Sequence, residues 1–363
     1  MDESLLAYCN AKNESAKWAE SLNLMHFIRR LIIDARGKPV GADVRDPLVN
    51  YEIMSSLSMF YLDGASVFLA MDTTTQKFVV VKQYAHHQTD AWGLPVLVLR
   101  QLGCSIRLLK AQIQQKKEPK NRCSIKTNIQ QILDLRILEN FTFIVFKYYP
   151  IMFDTVFKPH QPHNVNFISR VVLDLLLSVM LLHETKIAHR DIKLQNLCFD
   201  QRSRVVLIDF DSGASSEQMP ILRNTTPVCS YHTRPPEHIA LQCKLNVQDD
   251  IENDQYDAQA GDWWSVGCVI AQMVLNGDHL FEAKSNGFMQ EFLDDLISFA
   301  QEFQTVCQNK HTTIRHPRVK HLLRASMPEH IKQLLGGLLQ IDPSKRKHAA
   351  HFYVEHALHK LQK

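Results

Sequence analysis

The chain has 363 residues, more than one compact core needs and enough for two lobes. Its 45% hydrophobic and 22% charged residues exclude a disordered, collagen-like or coiled-coil chain. A formal charge of +3 is too small to argue for nucleic acid or an anionic membrane surface as partner.

The opening MDESLLAYCNAKNES lacks a basic start followed by an apolar run, so no signal peptide is expected. Within 14–36, Trp18, Leu22, Met25, Ile28 and Ile32 recur at helical spacing and Gly37 stands at the stop. Residues 1–49 therefore read as an N-terminal extension with an amphipathic helix. Packing on the main domain is the plainer expectation, docking of a partner the sharper one. From 51 to 150 the period shortens. YEIMSSLSMFY, SVFLAMD, KFVVVKQY, QQILDLRILE and FTFIVFKYY read as strands, interrupted by one helix over roughly 95–114. After 150 the chain turns helical, with FISRVVLDLLLSVMLLHE and DWWSVGCVIAQMVL flanking two short strands, NLCFD and RVVLID. This is an α+β plan: a strand-rich lobe over 50–147, a larger helical lobe over 148–363, and a cleft expected between them.

The apolar run at 171–182 is short and broken by Asp174, so no membrane-spanning helix is expected. The basic KKEPKNR at 116–122 reads as a solvated loop. Eight cysteines without a C-x-x-C pair argue for reduced, mostly buried thiols in a reducing compartment and against zinc. The 18 histidines form no H-E-x-x-H or comparable ligand pair. Glycine is scarce, with 12 residues, which matters because phosphate-binding loops usually need it.

The chemistry is concentrated in HRDIKLQN at 189–196, followed by strand residues and Asp209. Phosphoryl transfer asks for a positioned hydroxyl, a carboxylate near its proton, and ligands for the metal that neutralises phosphate charge. Asp191 supplies the carboxylate, Lys193 can contact the transferred phosphate, and Asn196 and Asp209 offer hard oxygen ligands suited to Mg²⁺. A loop joining two short strands would hold all four together.

This set resembles the protein kinase superfamily over about residues 50–360. HRDIKLQN is similar to the catalytic loop, with Lys193 pointing to the Ser/Thr type rather than the tyrosine type. VVVK ends on Lys82, the expected phosphate anchor; IDF at 208–210 matches the metal-binding motif; RPPE ends on Glu237; DWWSVG at 262–267 and DPSKR at 342–346 match two signatures of the large lobe. The resemblance implies a buried ion pair of Glu237 with Arg346. VCSYHTRPPEHIAL resembles the activation segment of the cyclin-dependent, MAP and glycogen synthase kinase group, with Ser230 bonding the catalytic aspartate and lysine. FTFIVFKYY resembles the strand into the hinge, with Phe146 as gatekeeper and Lys147, Tyr148 and Tyr149 along the adenine. Val67 and Leu197 complete the nucleotide-binding set. ATP and Mg²⁺ are the implied cofactors, a protein the implied substrate, and cytoplasm or nucleus the implied location. A regulatory subunit could dock on the helix carrying Gln101.

Three positions depart from the pattern. Phe60, Leu62 and Ala65 stand where glycines are expected, with Gly64 one place off; side chains there should loosen the phosphate cradle. Gln101, nineteen residues after Lys82, takes the place of the helical glutamate that pairs with the lysine, and an amide brings no charge. Asp211 replaces the last glycine of the metal motif, a residue type that tolerates the left-handed conformation. Two readings follow: an active Ser/Thr kinase, or a pseudokinase serving as a scaffold or binding module. Thr225, five residues before Ser230, aligns with an activating phosphothreonine, whose phosphate would seek Arg190 and Arg100.

Overall fold

The computed structural model describes residues 48–58, 65–86, 94–117, 128–138, 140–158, 163–215, 229–246, 256–282, 289–308 and 312–361. The expected helix over 14–36, the loop positions Phe60, Leu62 and Gly64, most of the basic segment at 116–122, and Thr225 lie outside these residues. The chain divides into two compact units, Met1–Lys117 with Gln130–Tyr148, and Glu118–Ile129 with Tyr149–Lys363.

The first unit is built on a five-stranded antiparallel sheet. In chain order its strands are β1 (Tyr51–Ser58), β2 (Ala65–Asp72), β3 (Lys77–Ala85), β5 (Ile132–Ile137) and β6 (Phe141–Lys147), arranged β1-β2-β3-β6-β5. Between β3 and β5 in the chain runs β4 (Asn128–Ile129), which belongs to the second unit. Alternation along β3 sends Val79 and Val81 into one apolar cluster with Ala70, Phe143 and Val145. Val80 and Tyr84 go to the other face, where they meet Val98, Leu102 and Ile106 of helix α1 (Val96–Lys117). The 98/102/106 spacing is the apolar stripe that covers the sheet. A turn capped by Asp72, whose carboxylate accepts from the backbone of Thr74 at 2.8 Å, joins β2 to β3.

The second unit contains β7 (Ile151–Met152), the short helix α2 (Phe153–Val156), α3 (Val165–Glu184), β8 (Ile187–Ala188), β9 (Leu197–Phe199), β10 (Val205–Leu207) and β11 (Ala214–Ser215). Helices α4 (Pro236–Asn246), α5 (Ala258–Val274), α6 (Met289–Gln308), α7 (Pro317–Arg324), α8 (Glu329–Leu338) and α9 (Pro343–Leu361) follow. β9 and β10 form an antiparallel hairpin within a four-stranded sheet, order β4-β10-β9-β7.

α3 opens on Asn164, whose side chain accepts from the backbone N–H of Asn166 at 2.8 Å. By length and composition α3 could cross a membrane. Its apolar character is accounted for by packing, since Val171, Val172, Leu175, Leu176 and Val179 are buried against the rest of the unit. Asp174, the residue that breaks the run, accepts from the Arg204 guanidinium at 3.0 Å and from the Val205 N–H at 2.6 Å. α5 is buried along nearly its whole length, including Trp263 and Trp264. One of the scarce glycines sits where helices touch: a Cβ on Gly337 would come within 2.2 Å of Ala349 on α9.

The expected ion pair is present. Arg346 is fully buried and donates to both carboxylate oxygens of Glu237, at 2.6 and 2.8 Å. It also donates to the carbonyls of Ala260 and Gln340, and its guanidinium lies 5.2 Å from the Trp264 ring centroid. The described cysteines are all free thiols, four of them buried.

Among the described residues, His238 on α4 is the most sharply perturbed histidine. Its ring is buried, edge-on to Tyr256 at 4.1 Å and against Gly261, where a Cβ would come within 3.2 Å of it. Burial, then the charges of Arg190, Arg234 and Arg346, push its pKa down to about 3. The unfolded chain takes up this proton near pH 6.5, while the folded chain refuses it until about 3. Stability from His238 is therefore complete above pH 6.5 and is lost as pH falls through that value, by about 1.4 kcal/mol per unit. A His238→Gln variant should show a shallower fall in thermal stability between pH 7 and 5 than wild type, by about one proton's worth. Parallel slopes in the two proteins would assign the acid sensitivity elsewhere.

Candidate active site

The site in the second unit is the loop between β8 and the 3₁₀ turn Leu194–Asn196, with the segment carrying Ser230 laid against it. Its backbone is fixed from below by one buried carboxylate. Asp262 on α5, 1% exposed, accepts from the N–H of His189 and of Arg190, both at 2.8 Å, and from His183 Nε2 at 2.9 Å. This anchoring lets Arg190 hold a left-handed backbone, φ 68°, with its guanidinium buried and donating to the Tyr256 hydroxyl at 3.0 Å. The DWWSVG motif thus acts through Asp262, a role that the sequence does not display.

Asp191 gathers the chemistry. One carboxylate oxygen accepts from Ser230 Oγ at 2.8 Å and from the Ser230 N–H at 3.1 Å. The other accepts from Lys193 Nζ at 2.7 Å and from Asn196 Nδ2 at 3.1 Å. Lys193 reaches Ser230 Oγ as well, at 3.1 Å. The resemblance-based expectation that Ser230 bonds both aspartate and lysine is met by this geometry. The Asp191 and Lys193 side chains stay 13% and 29% exposed, open enough to meet a hydroxyl and a phosphate.

Asn196 also donates to the Asp191 carbonyl at 2.8 Å. With its NH₂ turned to Asp191, its carbonyl oxygen faces away and is the atom that could ligate a cation. The Ile208 N–H donates to the Asn196 backbone carbonyl at 3.0 Å, which brings the chain next to Asp209 back toward Asn196. Among the described residues no three His, Cys, Asp or Glu side chains cluster as a metal cage. One amide and one carboxylate nonetheless fit Mg²⁺, which takes one or two protein oxygens and completes its shell with phosphate and water.

The left-handed residue of the metal motif is Asp209, φ 69°, and not Asp211. The aspartate at 211 therefore does not rely on tolerance of that conformation, and the expectation is corrected. Asp209 carries the strain because its neighbours hold it: Phe210 is fully buried, with its ring 4.8 Å from His189, and its carbonyl accepts the Gly213 N–H at 2.9 Å.

In the first unit, Lys82 is 7% exposed and pairs in register with Val67 on β2 and Ile144 on β6. It shares its face of β3 with Val80 and Tyr84, the face that α1 covers. Gln101, 0% exposed, sits on α1 between Val98 and Leu102 of that packing stripe. Phe146 is buried in the same cluster, Lys147 is exposed, and the Tyr148 ring meets Phe78 edge-on at 6.1 Å. Ala65 begins β2 with its methyl buried, so the first position of the expected glycine set that the structure describes is filled by packing.

Leu197 is buried at the start of β9. Tyr149 points into the second unit's core with Met152, Cys198, Val206 and Ile208, and burial pushes its phenol up to about 12.

A sheet unit with a buried strand lysine and a helical unit carrying this loop define a protein kinase domain. The chain belongs to that family, whose protein kinase domain matches residues 63–358. Its relatives include cyclin-dependent kinase 1 of Encephalitozoon cuniculi, 25% identical over 58% of this chain and 62% of that one. Cell division control protein 2 homolog 1 of Trypanosoma brucei brucei is 25% identical over 78% of this chain and 90% of that one. The mitogen-activated protein kinase mpkC of Aspergillus niger is 28% identical over 52% and 46%. The chain thus spans less than two thirds of the first and last of these relatives. The relatives are Ser/Thr kinases, cyclin-dependent and MAP kinases among them, and also include serine/threonine-protein kinase akt-2 of Caenorhabditis elegans, 31% identical over 48% of this chain and 26% of that one.

Proposed function

We propose that this chain is a protein serine/threonine kinase that transfers the γ-phosphate of MgATP to a protein hydroxyl. The observation that carries the reading is the Asp191–Lys193–Asn196–Ser230 network, which gathers a carboxylate, an ammonium, an amide and a hydroxyl within hydrogen-bond reach of one another. Asp191 orients the incoming hydroxyl and accepts its proton, Lys193 steadies the phosphoryl oxygens, and Asn196 and Asp209 would hold Mg²⁺. The metal, when bound, neutralises charge on the phosphates. Lys82 anchors the nucleotide phosphates, while Val67, Phe146, Leu197 and the 147–149 backbone take the adenine. Kinship with cyclin-dependent kinases favours a regulatory subunit on α1, and a cytoplasmic or nuclear setting.

A second reading, a nucleotide-binding scaffold without transfer, is favoured by Gln101, which brings no charge to the buried lysine. Thermal-shift titration with ATP and Mg²⁺ tests the common part. At a hundred times its Kd, MgATP should add about 2.7 kcal/mol of stability. In Asp209→Asn the Mg²⁺-dependent part of that gain should disappear while the fold persists. Equal MgATP affinity in wild type and variant would remove Asp209 from the metal site.

A further inference from the structure

The turn that follows Ser230 is braced by two histidines. Ser230 is the N-cap of the 3₁₀ turn Tyr231–Thr233, and its carbonyl accepts the Thr233 N–H at 3.1 Å. His232, in the middle of that turn, donates from Nδ1 to the Phe281 carbonyl at 2.9 Å. A carbonyl only accepts, so Nδ1 carries the hydrogen. The His279 ring stacks on the His232 ring, with centroids 3.9 Å apart and planes at 12°. Both contacts come from the loop that follows α5, and the core anchors that loop. Phe281 is buried, stacked on Trp264 at 6.0 Å and edge-on to Phe299 at 5.1 Å. The Leu280 carbonyl accepts from Arg318 on α7 at 3.0 Å.

We infer that His279 is a positioning residue for phosphate transfer: its ring, stacked on His232, holds the 3₁₀ turn so that Ser230 keeps both its bonds to Asp191. The path runs from the anchored loop through the two rings into the turn. It ends where the Ser230 Oγ and N–H meet one Asp191 oxygen, at 2.8 and 3.1 Å. The inference rests on the reading that Asp191 orients the substrate hydroxyl. It brings a pH dependence with it. Both rings are partly exposed, so protons reach them. One charged imidazole can lie on a neutral one, but two charges 3.9 Å apart repel. Burial, then His232, hold the His279 ring neutral below its ordinary value of 6.5, against Asp278 and Glu282, which favour its charge. The other charged groups nearby are paired elsewhere. Arg318 meets Asp295 of α6 at 3.0 Å, Arg234 donates to the Cys229 carbonyl at 2.9 Å, and Lys193 donates to Asp191. Once both rings charge, the stack opens and the turn loses its brace.

Rates of transfer to a generic protein substrate, measured with the full chain from about pH 5.5 to 8, supply the test. At the upper end His279→Ala should lower kcat about fivefold, the factor carried by one aromatic pair, with the KM for MgATP within about twofold of wild type. His279→Phe keeps a flat ring on His232 and should recover most of that loss. It cannot take a proton. Wild-type kcat should therefore fall by up to about tenfold per pH unit as the second ring charges, and in His279→Phe that fall should begin about one unit lower. The same acid limb in wild type and His279→Phe would overturn the inference and leave the kinase reading standing. So would wild-type transfer in His279→Ala, or equal losses in both variants, which would mean general damage to the loop. If His279→Ala fails to fold, as thermal melting would show, the acid limb of His279→Phe decides alone. A wild type that transfers nothing at any pH sinks both.

Discussion

Asp191→Asn is expected to lose phosphate transfer by about a hundred- to ten-thousandfold, the range for removing a general base, while its MgATP affinity stays at the wild-type value. The affinity is spared because Asp191 faces the substrate hydroxyl in the proposed reaction and Asp209 with Asn196 faces the metal. The substitution has a structural cost too. All four groups on the carboxylate donate to it: Ser230 Oγ and N–H on one oxygen, Lys193 and Asn196 on the other. An asparagine must turn its own NH₂ toward one of these pairs, opposing donor to donor. A loss of about 1–3 kcal/mol of stability should accompany the loss of transfer. Transfer to a generic protein substrate, calorimetry with MgATP and thermal melting separate the three quantities. Transfer preserved in the variant would remove Asp191 from the reaction. A wild type that binds MgATP but transfers nothing would make the chain a scaffold.

The second large effect concerns stability. Arg346→Ala should destabilise the second unit by about 3–5 kcal/mol, because it leaves the Glu237 carboxylate and three backbone carbonyls facing a hole in a buried site. In a unit of this size that corresponds to a fall in Tm of roughly ten degrees. Arg346→Lys should recover little, since one ammonium cannot reproduce the fork that meets both carboxylate oxygens. Replacing both partners together, as Glu237→Met with Arg346→Met, should recover part of the loss, because no charge is then stranded. A Tm within two or three degrees of wild type for Arg346→Ala would show that the pair contributes little to holding the helices together.

The two-unit plan was readable because its signals are local. Short β-branched and aromatic runs mark β3 and β6, the apolar face of α3 is written over five turns, and HRDIKLQN is contiguous. Glu237 with Arg346 was accessible only through the resemblance, since 109 residues separate them. The support given by Asp262 was not legible: its bonds to His189 and Arg190 span 73 and 72 residues, and nothing in either segment alone names the other. Backbone strain was misassigned for a related reason. Residue type suggested tolerance at Asp211, but the surroundings of Phe210 and Asn196 decide which residue turns left-handed, and they chose Asp209. The resemblance places Tyr149 along an adenine by its neighbours in sequence, but the packing of its ring was not legible there, because its apolar partners arrive from β7, β9 and β10.

β1 is the outermost strand of its sheet among the described residues, and it is not a clean edge. Pairing with β2 slips between Ile53 and Ser55 and again between Ser56 and Ser58, leaving Met54 and Leu57 out of register. Both side chains are exposed, at 52% and 51%, and Ile53 is exposed at 43%. An apolar strand with a straight, unpaired rim is a template on which another copy can add its own strand, and repeated addition gives insoluble fibres. Two bulges within eight residues interrupt the row of backbone donors and acceptors and increase the local twist, so an incoming strand finds no continuous ladder. The irregularity that weakens β1 as part of its own sheet thereby protects the chain from intermolecular growth at high concentration.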